Sequence, residues 1–288
     1  MADLLQFVVA GLAQGGAYAL IAIGFVSIFA VSGVINLAQG EFAALAGLCA
    51  ISAAGAGLPL LPALLVAVAV VAAVAIAIER LAIRPVRRMT TLTSIILTLG
   101  VSTALKAVML LIWGPQGHTL RAFPGSDLTV AGVSIRAQEL WILAACALVG
   151  GAVWWFYERT LHGKALRACS EQPVAARLIG ISLTKASLVS FGIAGVTGAV
   201  AGVVTSPIYS SSWEIGLTLG LKGFVAATLG GLLSVRGAIL GGILLGVLEN
   251  LVAGYVATGL RDAVAFVVLI AILLARPGGL VKHTEARV

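Results

Sequence analysis

Apolar stretches of about 20 residues recur from one end of the sequence to the other, and this feature constrains the fold most strongly. A helix that rises ~1.5 Å per residue needs about 20 such residues to cross roughly 30 Å of hydrocarbon. Only 10% of the residues are charged, whereas a soluble domain carries about 25%. So few charges cannot cover a globule of 288 residues. The stretches also do not alternate in polarity, as the strands of a β-barrel would. The sequence therefore predicts an all-α integral membrane protein.

Two polar loops divide the apolar sequence into a polytopic bundle of about eight to nine predicted transmembrane helices. The loop 114–138 contains a short β-like patch at 128–135, and the loop 159–184 is long enough for one or two short helices. We expect a single transmembrane domain over residues 1–288. The predicted spans cover 4–31, 42–57, 63–81, 92–113, 140–157, 186–208, two helices within 216–256 that turn near 234–237, and 263–275.

Positive charge is distributed unevenly between the two sides of this bundle. Lys and Arg number four from Arg80 to Arg88, five from Arg159 to Lys185 and three in the tail after residue 275, against three on the opposite side. Because an excess of Lys and Arg marks short cytoplasmic loops, we predict that both basic loops and the C-terminus are cytoplasmic. Nine spans then place the N-terminus outside, whereas eight spans with a re-entrant segment would also fit if the N-terminus lay on the other side. The net charge of +7 reflects this topology rather than a surface for nucleic acid.

Glycine is abundant, with 35 residues in the chain. A glycine has no side chain, so pairs spaced four apart let two membrane helices approach closely. Static packing is the simplest interpretation of each pair. The density of glycine between residues 230 and 246 also favours a segment that bends or contacts a partner closely. The pairs are Gly11 with Gly15, Gly198 with Gly202, Gly237 with Gly241, and Gly242 with Gly246.

Charged side chains within the predicted spans are candidates for function, because burying a charge in lipid is costly. Glu41 is either a first-turn carboxylate favoured by the helix dipole or part of a solute pathway. Lys222 and Glu249 lie in the glycine-rich stretch and either pair with each other or face water. Lys106 is close enough to Trp113 that we expect its ammonium to extend to the membrane surface.

The loop 159–184 mixes apolar and charged residues, and Gly180 provides a helix stop. An amphipathic element of this kind is either a docking surface for a partner or a helix that lies on the lipid headgroups. The sequence contains no phosphate-binding G-x-x-x-x-G-K-[ST] loop, no H-E-x-x-H and no C-x-x-C. We therefore predict no catalytic residue, no metal ligand and no cofactor on this chain. Any ATP that drives it must be bound by a separate subunit.

Four stretches, which together extend over nearly the whole chain, resemble the permease subunits of ABC importers for branched-chain amino acids. The similarity is to the shorter of the two paralogous subunits. The stretches are GLAQGGAYALIAIGF with VINLAQGEF (11–25 and 34–42), GKALRACSEQPVAARLIGI (163–181), GLKGFVAATLGGLLSVRGAILGGILLGVLE (220–249) and the terminal RPGGL (276–280). The family often has His where this sequence has Gln39, which argues against a titrating imidazole there and leaves room for a different small solute such as urea or an amide.

The resemblance implies a single permease domain in the cytoplasmic (inner) membrane of a bacterium or archaeon, with four kinds of partner. These are the lipid bilayer, a second permease subunit, two cytoplasmic ATP-binding subunits and a periplasmic or lipid-anchored solute-binding protein. Within the second stretch the resemblance implies ATPase-coupling residues, namely Arg167, Glu171, Ala175, Ala176 and Gly180. The polar residues expected along the translocation pathway are Asn36, Gln39, Glu41, Lys222 and Glu249.

A secondary transporter of a small polar solute (an amino acid, urea or an amide) is the alternative function. Such a protein normally carries ion-coordinating carboxylates in broken helices. Glu41 and Glu249 are the candidates for that role, and no repeated pair of such residues is evident.

Overall fold

The computed structural model describes residues 2–86, 90–130, 133–275 and 279–280. Helices account for most of this chain, and a small antiparallel hairpin is formed by β1 (Leu128–Val130) and β2 (Val133–Ile135). The helices are α1 (Ala2–Ser32), α2 (Gln39–Gly55), α3 (Leu60–Ile78, extended by a π-turn Glu79–Ile83), α4 (Thr91–Trp113), α5 (Ala137–Ala145), α6 (Gly151–Arg159), α7 (Leu161–Glu171), α8 (Pro173–Leu178), α9 (Leu183–Thr205), α10 (Ile215–Gly230), α11 (Val235–Tyr255) and α12 (Arg261–Ala275).

Every apolar span predicted from the sequence coincides with a helix in the described residues. Helices α5 and α6 join through a π-turn into one continuous helix over Ala137–Arg159. Within the described chain six helices are long and apolar enough to cross a membrane. Helices α2, α10 and α12 are shorter, at 17, 16 and 15 residues. The helical membrane fold is therefore confirmed, and the exact number of complete spans remains a prediction.

Helices α1 and α11 approach each other more closely than any side chain would allow. A Cβ added to Gly15 would lie 2.6 Å from the Cα of Ile243, and one added to Gly11 would lie 2.7 Å from the Cα of Val247. From the other side, a Cβ on Gly246 would overlap the backbone of Gly15. The predicted glycine pairs of the two helices therefore face each other, and their contact is backbone to backbone.

The other glycine pairs also lie at helix contacts. A Cβ on Gly237 or Gly241 would overlap the backbone of α10, and a Cβ on Gly202 would overlap the backbone of α2 at Ala43. Helices α10 and α11 connect through the turn 231–234, in which Gly231 has a φ of +105°. That conformation is unfavourable for a residue with a side chain. Helices α1, α10 and α11 thus form one closely packed group around an apolar core that includes Leu20, Ile21 and Leu245.

Residues with hydroxyl side chains cap the N-termini of four helices on the predicted cytoplasmic side. Thr90, Thr160, Ser182 and Ser234 each accept a hydrogen bond from the backbone N–H three residues later. Each satisfies one of the free N–H groups in the first turn of a helix. These caps fix where α4, α7, α9 and α11 start. The basic residues Arg87, Arg88, Arg276, Lys282 and Arg287, which entered the orientation prediction, lie outside the described residues.

The segment between α4 and α5 contains the predicted β-like patch. Leu128 pairs with Ile135 and Val130 with Val133 in the hairpin. The hairpin also contacts the beginning of α1, because the amide of Gln6 exchanges two hydrogen bonds with the backbone of Ser134, at 2.7 and 2.9 Å. The start of α1 therefore lies on the same side of the bundle as the hairpin, which agrees with the predicted orientation.

Substitution of Gly246 tests the close contact of α1 and α11. Gly246→Ala should lower the melting temperature in detergent by roughly 3–10 °C, because overpacking costs about 1–3 kcal/mol. Gly151→Ala is the matched control, since a Cβ there meets no atom within 4 Å. The control should leave the melting temperature unchanged or raise it, because alanine favours a helix over glycine by about 1 kcal/mol. Equal melting temperatures for the two variants would contradict the packing described here.

Candidate translocation site

A non-helical segment, residues 33–38, interrupts the helical path between α1 and α2 inside the bundle. Gly33 has a φ of +66° and ends α1. Helix α2 then begins at Gln39, whose side chain lies between Gly24 of α1 and Ala194 of α9. Both contacts are well within the spans, so α2 starts below the membrane surface. Broken helices at this depth are where membrane transporters commonly place their polar sites.

The hydroxyl of Thr98 on α4 satisfies backbone groups that the break leaves free. It donates to the carbonyl of Ile35 at 3.1 Å and accepts from the N–H of Leu37 at 3.2 Å. An unpaired backbone group would be costly at this depth. Ser94, Thr98 and Ser102 are all buried and lie four residues apart, so α4 packs against the bundle with a polar face. This role was not predicted from the sequence, although the three residues are spaced four apart in it.

Glu41 lies in the first turn of α2 and is fully buried. The hydroxyl of Ser102 donates to its Oε1 at 3.0 Å, and the Nζ of Lys106 lies 3.6 Å from the same oxygen. The expectation that Lys106 extends to the membrane surface is therefore wrong. Its ammonium contacts a carboxylate inside the bundle, because that charge compensates a buried anion that would otherwise be unpaired.

Asn36 and Gln39 are also fully buried. The Oδ1 of Asn36 accepts from the N–H of Ala38 at 3.2 Å, which stabilises the turn into α2. The Nε2 of Gln39 donates to the carbonyl of Ala194 at 3.0 Å. Within the described residues, Asn36 Nδ2, Gln39 Oε1 and Glu41 Oε2 are buried atoms with no hydrogen-bond partner. Each of the three side chains therefore keeps unused hydrogen-bonding capacity.

Lys222 and Glu249 form an ion pair between α10 and α11. The Nζ of Lys222 lies 3.1 Å from Glu249 Oε2, and Glu249 is fully buried. The hydroxyl of Tyr18, on α1, donates to the same carboxylate oxygen at 2.8 Å. Of the two alternatives that the sequence left open, pairing is the one that the structure shows.

Further residues complete this cluster from α1, α11 and α12. Lys222 Nζ also lies 2.8 Å from Asp262 Oδ1, and the Nε of Arg261 lies 3.9 Å from Glu249 Oε2. The amide of Gln14 accepts hydrogen bonds from Arg261 and from Asn250. Two cations and two anions meet, so the formal charge of the cluster is zero. Arg261 is one of the three basic residues counted on the predicted external side, and its contact with Glu249 was not predicted from the sequence.

Helix α10 contacts both polar clusters. The first turn of α10 lies against Glu41, since a Cβ on Gly216 would overlap that carboxylate. Gly220 lies against Gly40 at the start of α2. Lys222 follows on the same helix and binds Glu249. All five residues predicted along a pathway are therefore buried around α2, α10 and α11, and their role in transport remains a prediction.

The segment 160–182, which is predicted to be cytoplasmic and contains α7 and α8, packs onto the bundle through an apolar cluster. Leu166, Cys169 and Ala176 are buried there with Val31 from the end of α1. Burial raises the pKa of the Cys169 thiol, which keeps it neutral, and the residue serves as a small packing residue as its sequence context indicated. Gly180, with a φ of +87°, follows the end of α8 and confirms the predicted helix stop.

The predicted coupling residues divide into two groups. Ala176 is 1% exposed and Arg167 binds Glu158 at 2.8 Å, so both side chains contact residues of this chain. Glu171, Ala175 and Gly180 are exposed. The free surface also includes large apolar side chains of the amphipathic element predicted from the sequence. Val174, Leu178 and Ile179 are 72%, 83% and 75% exposed.

Comparison with known proteins places these features in one family. The model of the family described as "Branched-chain amino acid transport system / permease component" matches residues 7–273. The chain is 33% identical to the high-affinity branched-chain amino acid transport system permease protein LivH of Salmonella typhimurium, with 98% of this chain and 96% of LivH covered. It is 35% identical to the corresponding permease protein BraD of Pseudomonas aeruginosa, with the same coverage of 98% and 96%.

A solved structure, PsaBC from Streptococcus pneumoniae in complex with Fab, contains a chain of similar fold. The TM-score is 0.50 at 12% sequence identity, and the alignment covers 93% of this chain and 90% of that chain. At such low identity the likeness concerns the fold alone. It supports the helical arrangement described above.

Removal of Lys222 tests the ion pair in the interior. Lys222→Met should lower the melting temperature in detergent, because an unpaired buried carboxylate costs about 3–5 kcal/mol. The double variant Lys222→Met with Glu249→Gln should recover part of this loss, since it removes both charges at once. Asp262→Asn is the control, because its side chain is 72% exposed and it should cost about 1 kcal/mol or less. A double variant no more stable than Lys222→Met alone would contradict the pairing.

Proposed function

The chain belongs to the family of branched-chain amino acid transport system permease components, and we propose that it is the permease subunit of an ATP-binding-cassette importer for branched-chain or related amino acids. The observation that carries the proposal is similarity along the whole length. The alignment covers 98% of this chain and 96% of each of these relatives. The polytopic helical fold supports the same conclusion.

In the proposed importer, different subunits carry out ATP hydrolysis, passage through the membrane and delivery of the solute. We propose that this chain holds no cofactor and that two cytoplasmic partner subunits bind and hydrolyse ATP. A second permease subunit would complete the membrane unit, and a solute-binding protein would deliver the amino acid from outside. Among the described residues, no group of three or more His, Cys, Asp or Glu side chains could hold a metal ion.

The cytoplasmic segment 160–182 supports the proposed contact with an ATPase. Helix α8 lies on the predicted cytoplasmic side, and its apolar residues Val174 and Leu178, with Ile179 just after it, are mostly exposed. Exposed apolar side chains at the edge of a well-packed body are typical of a protein contact. Glu171, Ala175 and Gly180 adjoin this surface. Arg167 and Ala176 would act indirectly, by holding the segment in place.

The buried polar residues support a pathway near α2 and α10. Asn36, Gln39 and Glu41 flank the break at the start of α2, and each keeps a buried atom without a partner in the described residues. Lys222 and Glu249 follow along α10 and α11. Polar groups at this depth are costly in lipid, and they persist where a polar solute or water is to pass. We propose that both clusters adjoin the route of the amino acid.

The proposed orientation places the protein in the cytoplasmic membrane of a bacterium or archaeon, with the N-terminus outside and the C-terminus in the cytoplasm. Two structural observations support it. The start of α1 contacts the hairpin of the loop 114–138, and the basic loop 159–184 lies at the opposite ends of α6 and α9. Positive residues concentrate on that second side, as expected for cytoplasmic loops.

The function is tested by uptake into proteoliposomes that contain this chain with its candidate permease and ATPase partners. With a loaded binding protein outside and ATP inside, labelled leucine, isoleucine and valine should accumulate. Omission of ATP or of the ATPase should abolish accumulation. Uptake that persists without ATP but collapses with the ion gradient would overturn the proposal in favour of a secondary transporter. A panel of urea and small amides, supplied in the same assay, would detect a different solute.

The docking surface is tested by Leu178→Ser in the same assay. Leu178 is 83% exposed, so the substitution should leave insertion and melting temperature unchanged. Loss of a central apolar contact with the ATPase should reduce uptake about tenfold, since such contacts are worth more than about 1 kcal/mol. Leu58→Ser is the matched control, because Leu58 lies in the turn between α2 and α3 on the opposite side and is 40% exposed. Unchanged uptake by Leu178→Ser would show that the ATPase binds elsewhere.

A further inference from the structure

The carboxylate of Glu158 lies between two arginines that belong to different parts of the molecule. Glu158 is near the end of α6, at the cytoplasmic side. Its Oε1 is 2.8 Å from Arg167 of α7 and 3.5 Å from Arg236 of α11. Its side chain is 31% exposed, so the contacts are partly shielded from water. One carboxylate therefore joins the cytoplasmic segment 160–182 to the first turn of α11.

Other contacts tie the same elements together. The guanidinium of Arg236 lies over the ring of Trp154, 5.0 Å from its centroid, in a cation–π contact with α6. Arg167 also donates to the carbonyl of Tyr157 at 3.4 Å. Val235, the first residue of α11, packs against the apolar cluster that holds α7 and α8. The end of α6 thus contacts both the segment and the first turn of α11.

Helix α11 is the element through which a displacement would reach the interior. Glu249 lies on it, about 20 Å along the axis from Val235 at ~1.5 Å per residue. Its glycines hold α1 at backbone contact, and Gly237 and Gly241 hold α10 in the same way. A movement imposed on the first turn of α11 is therefore transmitted to the helices that carry Tyr18 and Lys222.

We propose that Glu158 is a positioning residue that couples the cytoplasmic segment to α11 through Arg167 and Arg236. This inference rests on the proposed function, because it assumes that an ATPase moves the segment. Glu158 itself contacts neither the solute pathway nor the exposed apolar surface of α8. Its loss should therefore separate ATP hydrolysis from uptake while the complex remains assembled.

The test measures amino acid transported per ATP hydrolysed in the reconstituted complex. Glu158→Gln should leave the ATPase rate within about twofold and reduce transport per ATP roughly tenfold, the size of effect seen for residues of coupling networks. Glu158→Asp, which keeps the carboxylate, should restore most of the coupling. Glu214→Gln is the matched control, since Glu214 is an exposed carboxylate just before α10, away from the cytoplasmic segment. Wild-type coupling in Glu158→Gln would overturn the inference.

A double-variant cycle with Arg236 separates this role from a general loss of stability. Arg236→Gln should reduce transport per ATP to a similar degree, and Glu158→Gln with Arg236→Gln should add little further loss. Fully additive losses would overturn a shared contact. Arg236→Gln also carries the test if the Glu158→Gln complex does not assemble on gel filtration. Failure of the proposed function is distinguishable, because the wild-type complex itself would then show no ATP-dependent uptake.

Discussion

The backbone contact between α1 and α11 is the constraint on which the rest of the structure depends. Membrane helices gain little from hydrophobic burial against one another, so close packing must supply the attraction between them. Glycines at Gly11, Gly15, Gly242 and Gly246 provide it by removing every intervening side chain. The same approach brings the polar residues just outside the glycine contact within hydrogen-bonding range. Tyr18 of α1 reaches Glu249 of α11 for this reason. The close glycine packing of α1 and α11 is therefore also what allows the polar contacts between them.

The polar interior also follows from the break between α1 and α2. Ending a helix inside the bundle leaves backbone groups that no lipid can satisfy. Thr98 supplies the missing partners, and its neighbours at the same helical spacing, Ser94 and Ser102, make α4 polar on its inner face. Glu41 then finds a hydrogen-bond donor in Ser102 and a countercharge in Lys106. Irregular backbone at membrane depth thus determines which residues of α4 can be polar.

Sequence reasoning recovered the features that depend on local pattern. Helix positions follow from runs of apolar residues, and glycine contacts follow from spacing by four, since both are set within a few residues. The hairpin at 128–135 and the stop at Gly180 are of the same kind. Contacts between distant parts of the chain were not recoverable in this way. Nothing local to Lys106 indicates that Glu41 lies beside it.

The exposure of the candidate coupling residues could not be predicted from the sequence either. A motif identifies the segment, but it cannot separate side chains that face the bundle from those that face out. Ala175 and Ala176 are adjacent and chemically identical, yet one is exposed and the other is buried. The difference arises because α8 is a short helix of six residues, and only the face that carries Ala176 packs against Leu166 and Cys169. Only the three-dimensional structure shows which of these side chains face the bundle and which face outward.

A closely packed group of helices has a mechanical consequence for transport. Because α1, α10 and α11 meet through glycine backbones, sliding one past another would force backbone atoms to overlap. The three helices can therefore respond to a displacement only as a group. Helix α4 is different, since most of its surface is exposed. Its buried residues are Ser94, Thr98, Ser102 and Met109, and the hydroxyls of Thr98 and Ser102 form hydrogen bonds to the segment that leads into α2 and to Glu41. Hydrogen bonds of that kind can exchange partners at small cost when a polar solute or water is present. Helix α4 therefore packs against α2 rather than against the glycine-packed group, and Glu41 lies at the contact between α4 and α2.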